Sequence, residues 1–231
     1  MNIEEKLRNG LKICLPTTSK KFADKLYSTM KNGFDGFYNV GLMTCDTPII
    51  PVDKWSDYDL LIYTPKVVAG NSFNGIHFDE VIGMACNKSC DANFFSQMLF
   101  RVRNIKNPIM TIYIKQSVSF LPVFSKQLHK FIKRQDDPVY KTGLTIDNYH
   151  QRIVKNDYYE LYAQCLKVKH QSQNNFIGML KGILNHHGLT EIVDEEEVVE
   201  EEKTQEELDR IKEYEKFIDS CYEEFNHNIA T

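Results

Sequence analysis

Apolar residues recur along the first 117 residues in two alternating spacings. Leu11-Lys12-Ile13-Cys14-Leu15 is a short apolar run closed by Pro16, the length of a buried strand. Thr17-Thr18-Ser19 then offer hydroxyl caps ahead of residues 20–31, where Phe22, Ala23, Leu26, Tyr27 and Met30 repeat at helical intervals. Asn32-Gly33 stops that helix. Residues 37–44 and 59–64 read as strands, joined by a loop that holds Asp46, Pro48 and Pro51. Residues 81–86 read as another strand, 91–102 as a helix and 109–115 as a last strand. Apolar strands separated by amphipathic helices predict an α/β fold, a parallel sheet covered on both faces.

Beyond Ser117 the spacing is helical. Helices are expected over 121–134, 148–169 and 175–186, the last stopping near Gly188. The charge run 195–202, interrupted only by Val198-Val199, reads as a solvated linker. Thr204-Gln205-Glu206-Glu207 has the form of a capping box, and Leu208, Ile211, Ile218, Tyr222 and Phe225 fall on one face after it. Four segments follow: an α/β domain over 1–117, a helical extension over 118–190, an acidic linker over 191–203 and a terminal helix over 204–231. The stripe on that last helix suits docking to a protein partner better than holding a cofactor.

Composition narrows the class. With 42% hydrophobic and 26% charged residues among 231, the chain has an ordinary globular balance. No apolar run approaches the ~20 residues of a membrane-spanning helix, and Met1-Asn2-Ile3-Glu4-Glu5-Lys6 lacks the apolar core of a secretion signal. Neither a membrane protein nor a secreted one is expected. The six cysteines are scattered, and Cys86 and Cys90 are the only close pair, too few for a zinc site. No metal ligands are assigned. Reduced thiols in an intracellular compartment are the expectation.

The net charge of -4 conceals a division. Residues 1–190 hold 24 Lys and Arg against 16 Asp and Glu, a surplus of 8 positive charges, whereas residues 191–231 hold 4 against 16. A basic body with an acidic tail suits a protein that handles polyanions, and equally a soluble domain with a solvated tail.

The chemistry concentrates between Tyr63 and Arg103. After the strand Asp59-Leu60-Leu61-Ile62-Tyr63-Thr64 comes a loop with Lys66, Gly70 and Ser72, and the helix over 91–102 carries Gln97 and Arg101, with Arg103 just beyond. A threonine and a glycine-containing loop at the end of a parallel strand place hydroxyl and amide donors where such sheets bind ligands. Arginines on a nearby helix can then stabilise charge on a γ-phosphate held by another domain. Each residue also has a plain reading. Thr64 and Ser72 cap strand ends and turns, Gly70 supplies a positive φ, Gln97 is a surface residue, and Arg101 and Arg103 belong to a basic face. Trp55 is either a stacking surface for a base or a cover for a sheet edge. Asp79 and Glu80 belong to the loop before the strand over 81–86 rather than to a metal-binding pair.

Thr64, Gly70 and Ser72 have the spacing of motif V of superfamily 2 helicases, and Gln97 and Arg101 that of motif VI. The wording of "YDLLIYTPKVVAGNSF", "HFDEVIG" and "SCDANFFSQMLFRVRN" resembles herpesvirus-type replication origin-binding proteins and their relatives in large DNA viruses. Upstream, "LKICLPTTSKKFADKLYSTM" resembles the strand and helix of motif IV, so the resemblance spans about residues 10–117. It implies a RecA-like sheet, the second motor domain of a helicase. Arg101 and Arg103 would act as catalytic arginines, Gly70, Ser72 and Gln97 would face the nucleotide, and Thr17, Ser19, Thr64 and Lys66 would face nucleic acid. It also implies single-stranded DNA as a sequence-tolerant partner, and ATP with Mg only where a partner ATPase domain supplies its half of the site.

Three departures stand beside it. Phe100 replaces the glycine usual before the first arginine, Arg103 follows Arg101 by two residues instead of three, and no Gly-x-x-x-x-Gly-Lys-Ser/Thr loop occurs in the 231 residues. The expectation is a split or partial helicase subunit inactive by itself. The alternative is a non-enzymatic scaffold that binds nucleic acid or protein.

Overall fold

A computed structural model describes residues 3–33, 37–67, 70–117, 120–134, 144–147 and 152–191. Residues Met1–Glu191 form one compact unit and Ile192–Thr231 a second. The terminal helix and nearly all of the acidic linker expected from the sequence lie outside the described residues.

Five parallel strands make the central sheet: β1 (Ile13–Pro16), β2 (Val40–Met43), β3 (Leu60–Tyr63), β4 (Glu80–Cys86) and β5 (Met110–Lys115). Their order is β2-β3-β1-β4-β5, and every pairing is parallel. The register sets Ile13 against Leu60 and Glu80, and Val81 against Met110. Each expected strand is present, with ends moved by three residues at most.

Period-two alternation sorts the strand side chains onto two faces. Ile13, Leu15, Leu60, Ile62 and Ile82 pack with Ile3 and Leu7 of α1 (Ile3–Arg8) and with Ala23 and Met30 of α2 (Lys20–Gly33). Cys14, Leu61, Tyr63 and Val81 face the other way, into a core with Phe95, Met98 and Leu99 of α3 (Ala92–Leu99). Trp55, from a 3-10 turn over Val52–Asp57, lies in that second core. It is buried, stacks on Tyr63 and Phe73 at 5.9 and 6.0 Å between ring centres, and donates its indole N–H to the Ile50 carbonyl at 3.0 Å. A base cannot stack on it; its role is in the core.

The C-terminal part is helical with one exception. α4 (Ser125–Arg134), α5 (Asp157–Asn174) and α6 (Phe176–His186) are helices, but Leu144–Asp147 (β6) and Arg152–Lys155 (β7) pair antiparallel. The helix expected over 148–169 therefore starts later, at Asp157. Asn156 caps it by accepting the Tyr159 amide at 2.9 Å, and the β-branched Ile153-Val154 favours extended backbone ahead of the cap. α6 sends Phe176 and Leu180 into the core beside α3.

Buried polar groups tie α5 to the sheet. Asn87, fully buried after β4, donates to the carbonyls of Ser117 at 2.7 Å and Gln173 at 3.2 Å and accepts the Ser117 amide at 2.9 Å. The Ala92 amide, at the start of α3, donates to Ser172 Oγ at 2.8 Å. The polar end of α5 is thus a latch. Each of its bonds replaces one to water, and leaving any of these groups unpaired costs roughly 1–3 kcal/mol.

Candidate functional site

In a doubly wound sheet, ligands bind at the carboxyl ends of the strands, where neighbouring strands send their connections to opposite sides. Here that point lies between β1, which leads through α2 to β2, and β4, which leads through α3 to β5. It is filled by the protein's own side chains. Thr18 Oγ1 accepts the Cys86 amide at 2.8 Å, and the Asn87 latch closes the end of β4. The groups of interest lie to either side of it.

The first group joins the loop after β3 to the segment after α3. Phe73 and Val102 form a parallel bridge, with the Phe73 amide donating to the Arg101 carbonyl at 2.8 Å and the Arg103 amide to the Phe73 carbonyl at 2.9 Å. Arg103 Nε donates to Ser72 Oγ at 3.0 Å, and Arg101 Nη1 to the Asn71 carbonyl at 3.3 Å. Ser72, Arg101 and Arg103, thirty residues apart in sequence, are thus brought to one place. Arg101 Nε is buried and has no hydrogen-bond partner among the described residues. Buried polar groups are nearly always hydrogen-bonded, so an unpaired guanidinium N–H sets this arginine apart.

Two features that sequence reading passed over seat this arginine segment. A Cβ on Gly83 would lie 2.6 Å from Leu99 Cδ2 and 3.0 Å from Phe95 Cζ, so only glycine lets α3 descend this far onto β4. Tyr63, the last residue of β3, donates its hydroxyl to the Met98 carbonyl at 2.8 Å and fastens the final turn of α3. Burial, chiefly, pushes the Tyr63 phenol well above its ordinary range, so it stays a donor. Burial likewise pushes the Cys14 thiol, in the same core, up to about 12 and the Cys90 thiol up to about 12, so neither supplies a thiolate near neutral pH.

Phe100 does not reach across this segment: its ring rests on His187, just past α6, with centres 4.8 Å apart. Gly70 has φ +98°, the left-handed region, with open space where a Cβ would be, so its conformation accounts for the residue. Gln97 is exposed on α3 and lines a depression of about 280 Å³ with Asp91, Asn93, Phe94, Cys165, Val168 and Lys169. That depression lies between α3 and α5, and neither Ser72, Arg101 nor Arg103 lines it.

The second group is the rim formed by the ends of β1, β2 and β3. Thr17 is buried, its amide donating to the Tyr63 carbonyl at 2.9 Å and its hydroxyl oxygen accepting the Ser19 amide at 3.2 Å. Ser19 Oγ in turn accepts the Phe22 amide at 3.2 Å and caps α2. Thr64 is also buried and donates to the Met43 carbonyl at 3.2 Å. Lys66 Nζ donates to the carbonyls of Thr47 at 2.5 Å and Cys45 at 3.5 Å. Of the four residues expected to face nucleic acid, Lys66 alone extends a charge to the surface. Lys20, paired with Asp46, supplies the second cation there. Its place directly after the helix cap was the available signal.

Asp79 and Glu80 sit at the opposite, amino end of the sheet, paired with Lys106 at 3.0 Å and Lys6 at 2.6 Å. The Lys12 amide donates to Asp79 at 2.7 Å. These carboxylates are structural. Among the described residues no group of three His, Cys, Asp or Glu side chains is placed to hold a metal ion, the cysteines are free thiols, and no helix is long and apolar enough to cross a membrane.

Residues 1–186 match the family model described as origin of replication binding protein. The chain belongs to that family. Among its relatives is a protein of African swine fever virus named for a helicase/primase complex, 29% identical over 76% of this chain and 18% of that protein. A helicase-named protein of Acanthamoeba polyphaga mimivirus is 28% identical over 46% of this chain and 11% of its own length. The replication origin-binding protein of human herpesvirus 2 is 30% identical over 54% of this chain and 14% of its length. The chain spans less than a fifth of each of these family relatives.

Proposed function

We propose that this chain supplies the second motor domain of a viral-type replication helicase, contributing catalytic arginines to an ATP site whose phosphate-binding half lies on another domain. The observation that carries this reading is the Ser72–Arg101–Arg103 cluster, with the buried Arg101 Nε unpartnered. Arginines act on phosphoryl transfer by neutralising charge that develops on the γ-phosphate, and need no phosphate loop of their own to do so. Family membership and the viral helicase and origin-binding relatives support the replication role. ATP and Mg would be held by the other half. Single-stranded DNA would lie along the rim of Lys20 and Lys66, bound through backbone phosphates and so without strong sequence preference.

The test is ATP hydrolysis by the pure chain, and by the chain mixed with a motor domain that carries a phosphate loop. The pure chain should not exceed background. The mixture should hydrolyse ATP, and Arg101→Ala should slow it by about 10³-fold, the scale set by arginine fingers. Hydrolysis by the pure chain that Arg101→Ala abolishes, or by the mixture at the same rate in that variant, would defeat this assignment.

One observation favours a non-enzymatic reading. Thr17 and Thr64 are buried, and Lys66 spends donors on main-chain carbonyls. In that reading the domain is a protein-binding scaffold, and the mixture is expected neither to hydrolyse ATP nor to bind DNA.

A further inference from the structure

We propose that Asp46 is an internal counterion, a carboxylate occupying the place of a nucleic-acid phosphate between Lys20 and Lys66, so that DNA must displace it to bind. The inference rests on the DNA-binding reading above and deepens it.

Asp46 is held in a turn with little freedom. The Thr44 amide donates to Thr47 Oγ1 at 2.8 Å, that hydroxyl donates to the Leu42 carbonyl at 2.9 Å, and the Asp46 amide donates to Thr44 Oγ1 at 3.3 Å. Lys66 clamps the same turn through the carbonyls of Thr47 and Cys45. The turn aims one carboxylate oxygen at Lys20 Nζ, while Cys45 Sγ lies 3.3 Å from the other. Lys20 also meets Asp24 at 3.6 Å, a looser contact one helical turn on.

Stability does not account for this arrangement. The Asp46 side chain is 67% exposed and that of Lys20 44%, and ion pairs so exposed contribute little to folding. The same exposure leaves both within reach of a ligand. Carboxylate and phosphate oxygens accept from an ammonium group in the same way, so a backbone phosphate can take the position of Asp46 with Lys20 and Lys66 as its partners. Lys20 holds the Asp46 carboxyl below its usual range, with Cys45 and Lys66 adding to the effect, and the counterion is therefore charged at any pH where DNA binds. Binding at this rim becomes an exchange of anions. Fewer salt ions are released per phosphate than two free lysines would release, and affinity is lower and less salt-dependent.

The experiment measures binding of the full chain to a fluorescent oligothymidylate by anisotropy, across a series of salt concentrations. Asp46→Asn should tighten binding by roughly three- to tenfold at low salt and steepen the log–log salt slope by about 0.7, the increment of one phosphate on a single strand. In a Lys20→Met background the same substitution should change affinity by less than about twofold, because the cation it frees is gone. Asp53→Asn, an exposed carboxylate elsewhere, controls for net charge. An equal gain in the Lys20→Met background, an equal gain from Asp53→Asn, or no gain would overturn the counterion. Binding by wild type that Lys66→Ala weakens, with no gain from Asp46→Asn, defeats this inference alone. No binding by wild type or Asp46→Asn defeats the DNA reading together with it.

Discussion

The two ends of the parallel sheet carry the same kinds of side chain and use them differently. At the amino end, Asp79 accepts from the Lys12 amide and the Lys106 ammonium with its side chain 17% exposed, and Asp59 accepts from the Asn39 amide and the Lys12 ammonium. These carboxylates bind backbone donors of other segments, and so they fix where the strands begin. At the carboxyl end, Lys20, Lys66 and Asp46 pair in the open, and the backbone bonds there belong to one short turn. One end closes the sheet; the other presents charge to solvent. Charge type alone does not say which carboxylate serves stability and which serves binding. The partner does: a backbone amide beside the ammonium in one case, an exposed ammonium in the other.

The sharpest test of that contrast is stability. Asp79→Ala strips the Lys12 amide and Lys106 of their acceptor and should cost about 2–3 kcal/mol in urea denaturation, the range for hydrogen bonds to charged groups. Asp46→Ala should leave the denaturation midpoint where it is. Comparable losses from the two would erase the difference between the ends.

Gly83→Ala comes next, at about 1–3 kcal/mol, because the added methyl meets Leu99 and Phe95. It should also move Arg101. In the mixed ATPase assay its rate should fall further than its stability loss explains, whereas Asp79→Ala should lower stability alone.

Binding runs the other way. Lys20→Ala with Lys66→Ala should weaken oligothymidylate binding by about tenfold at low salt and flatten the salt slope by about 1. Lys106→Ala, at the amino end, should leave both unchanged in anisotropy titrations.

The smallest effect concerns pH. Partial burial pushes Asp79 and Asp59 up, but their hydrogen bonds and lysine partners outweigh it and hold both carboxyls below the ordinary range. Their contribution to stability is complete above about 4, the unfolded value, and is lost as pH falls through the lowered folded values. Thermal melting should therefore drop in that acid window, and Asp79→Asn should make the drop shallower. Asp46 is also held low but is far more exposed, and Asp46→Asn should change the drop by less. At the other end of the titration range, burial holds His170 of α5, which meets the Pro122 carbonyl at 2.7 Å, below its usual value, so its neutral form is favoured and the fold loses stability as pH falls below about 6.5.

Much of the fold was legible because strand burial leaves a plain trace. Ile13-Cys14-Leu15 and Leu60-Leu61-Ile62 are apolar on both faces, which only a sheet covered twice requires. The short ladder Leu144–Asp147 with Arg152–Lys155 was not legible, since Leu144-Thr145-Ile146-Asp147 alternates for only four residues and the helical spacing beyond Arg152–Lys155 runs on. At the candidate site, Ser72 and Arg101 stood out by spacing, and Arg103 despite a spacing one residue short. Thr17 and Thr64 stood out equally and turned inward, because a hydroxyl at a strand end can cap a neighbouring carbonyl or meet a ligand, and local sequence is the same in both cases.

By itself, the amino-acid sequence determined the α/β class and the strand–helix order. Those depend on periodicity and spacing, which are local properties of the chain. Tertiary structure alone decided that Gly83 admits α3, that Asn87 and the polar end of α5 form a latch, that Trp55 is core, and that Asp46 faces Lys20. Each of these is a contact between residues from 8 to 86 positions apart. No local pattern encodes which buried polar atom, or which exposed charge, another segment will meet once the sheet has assembled.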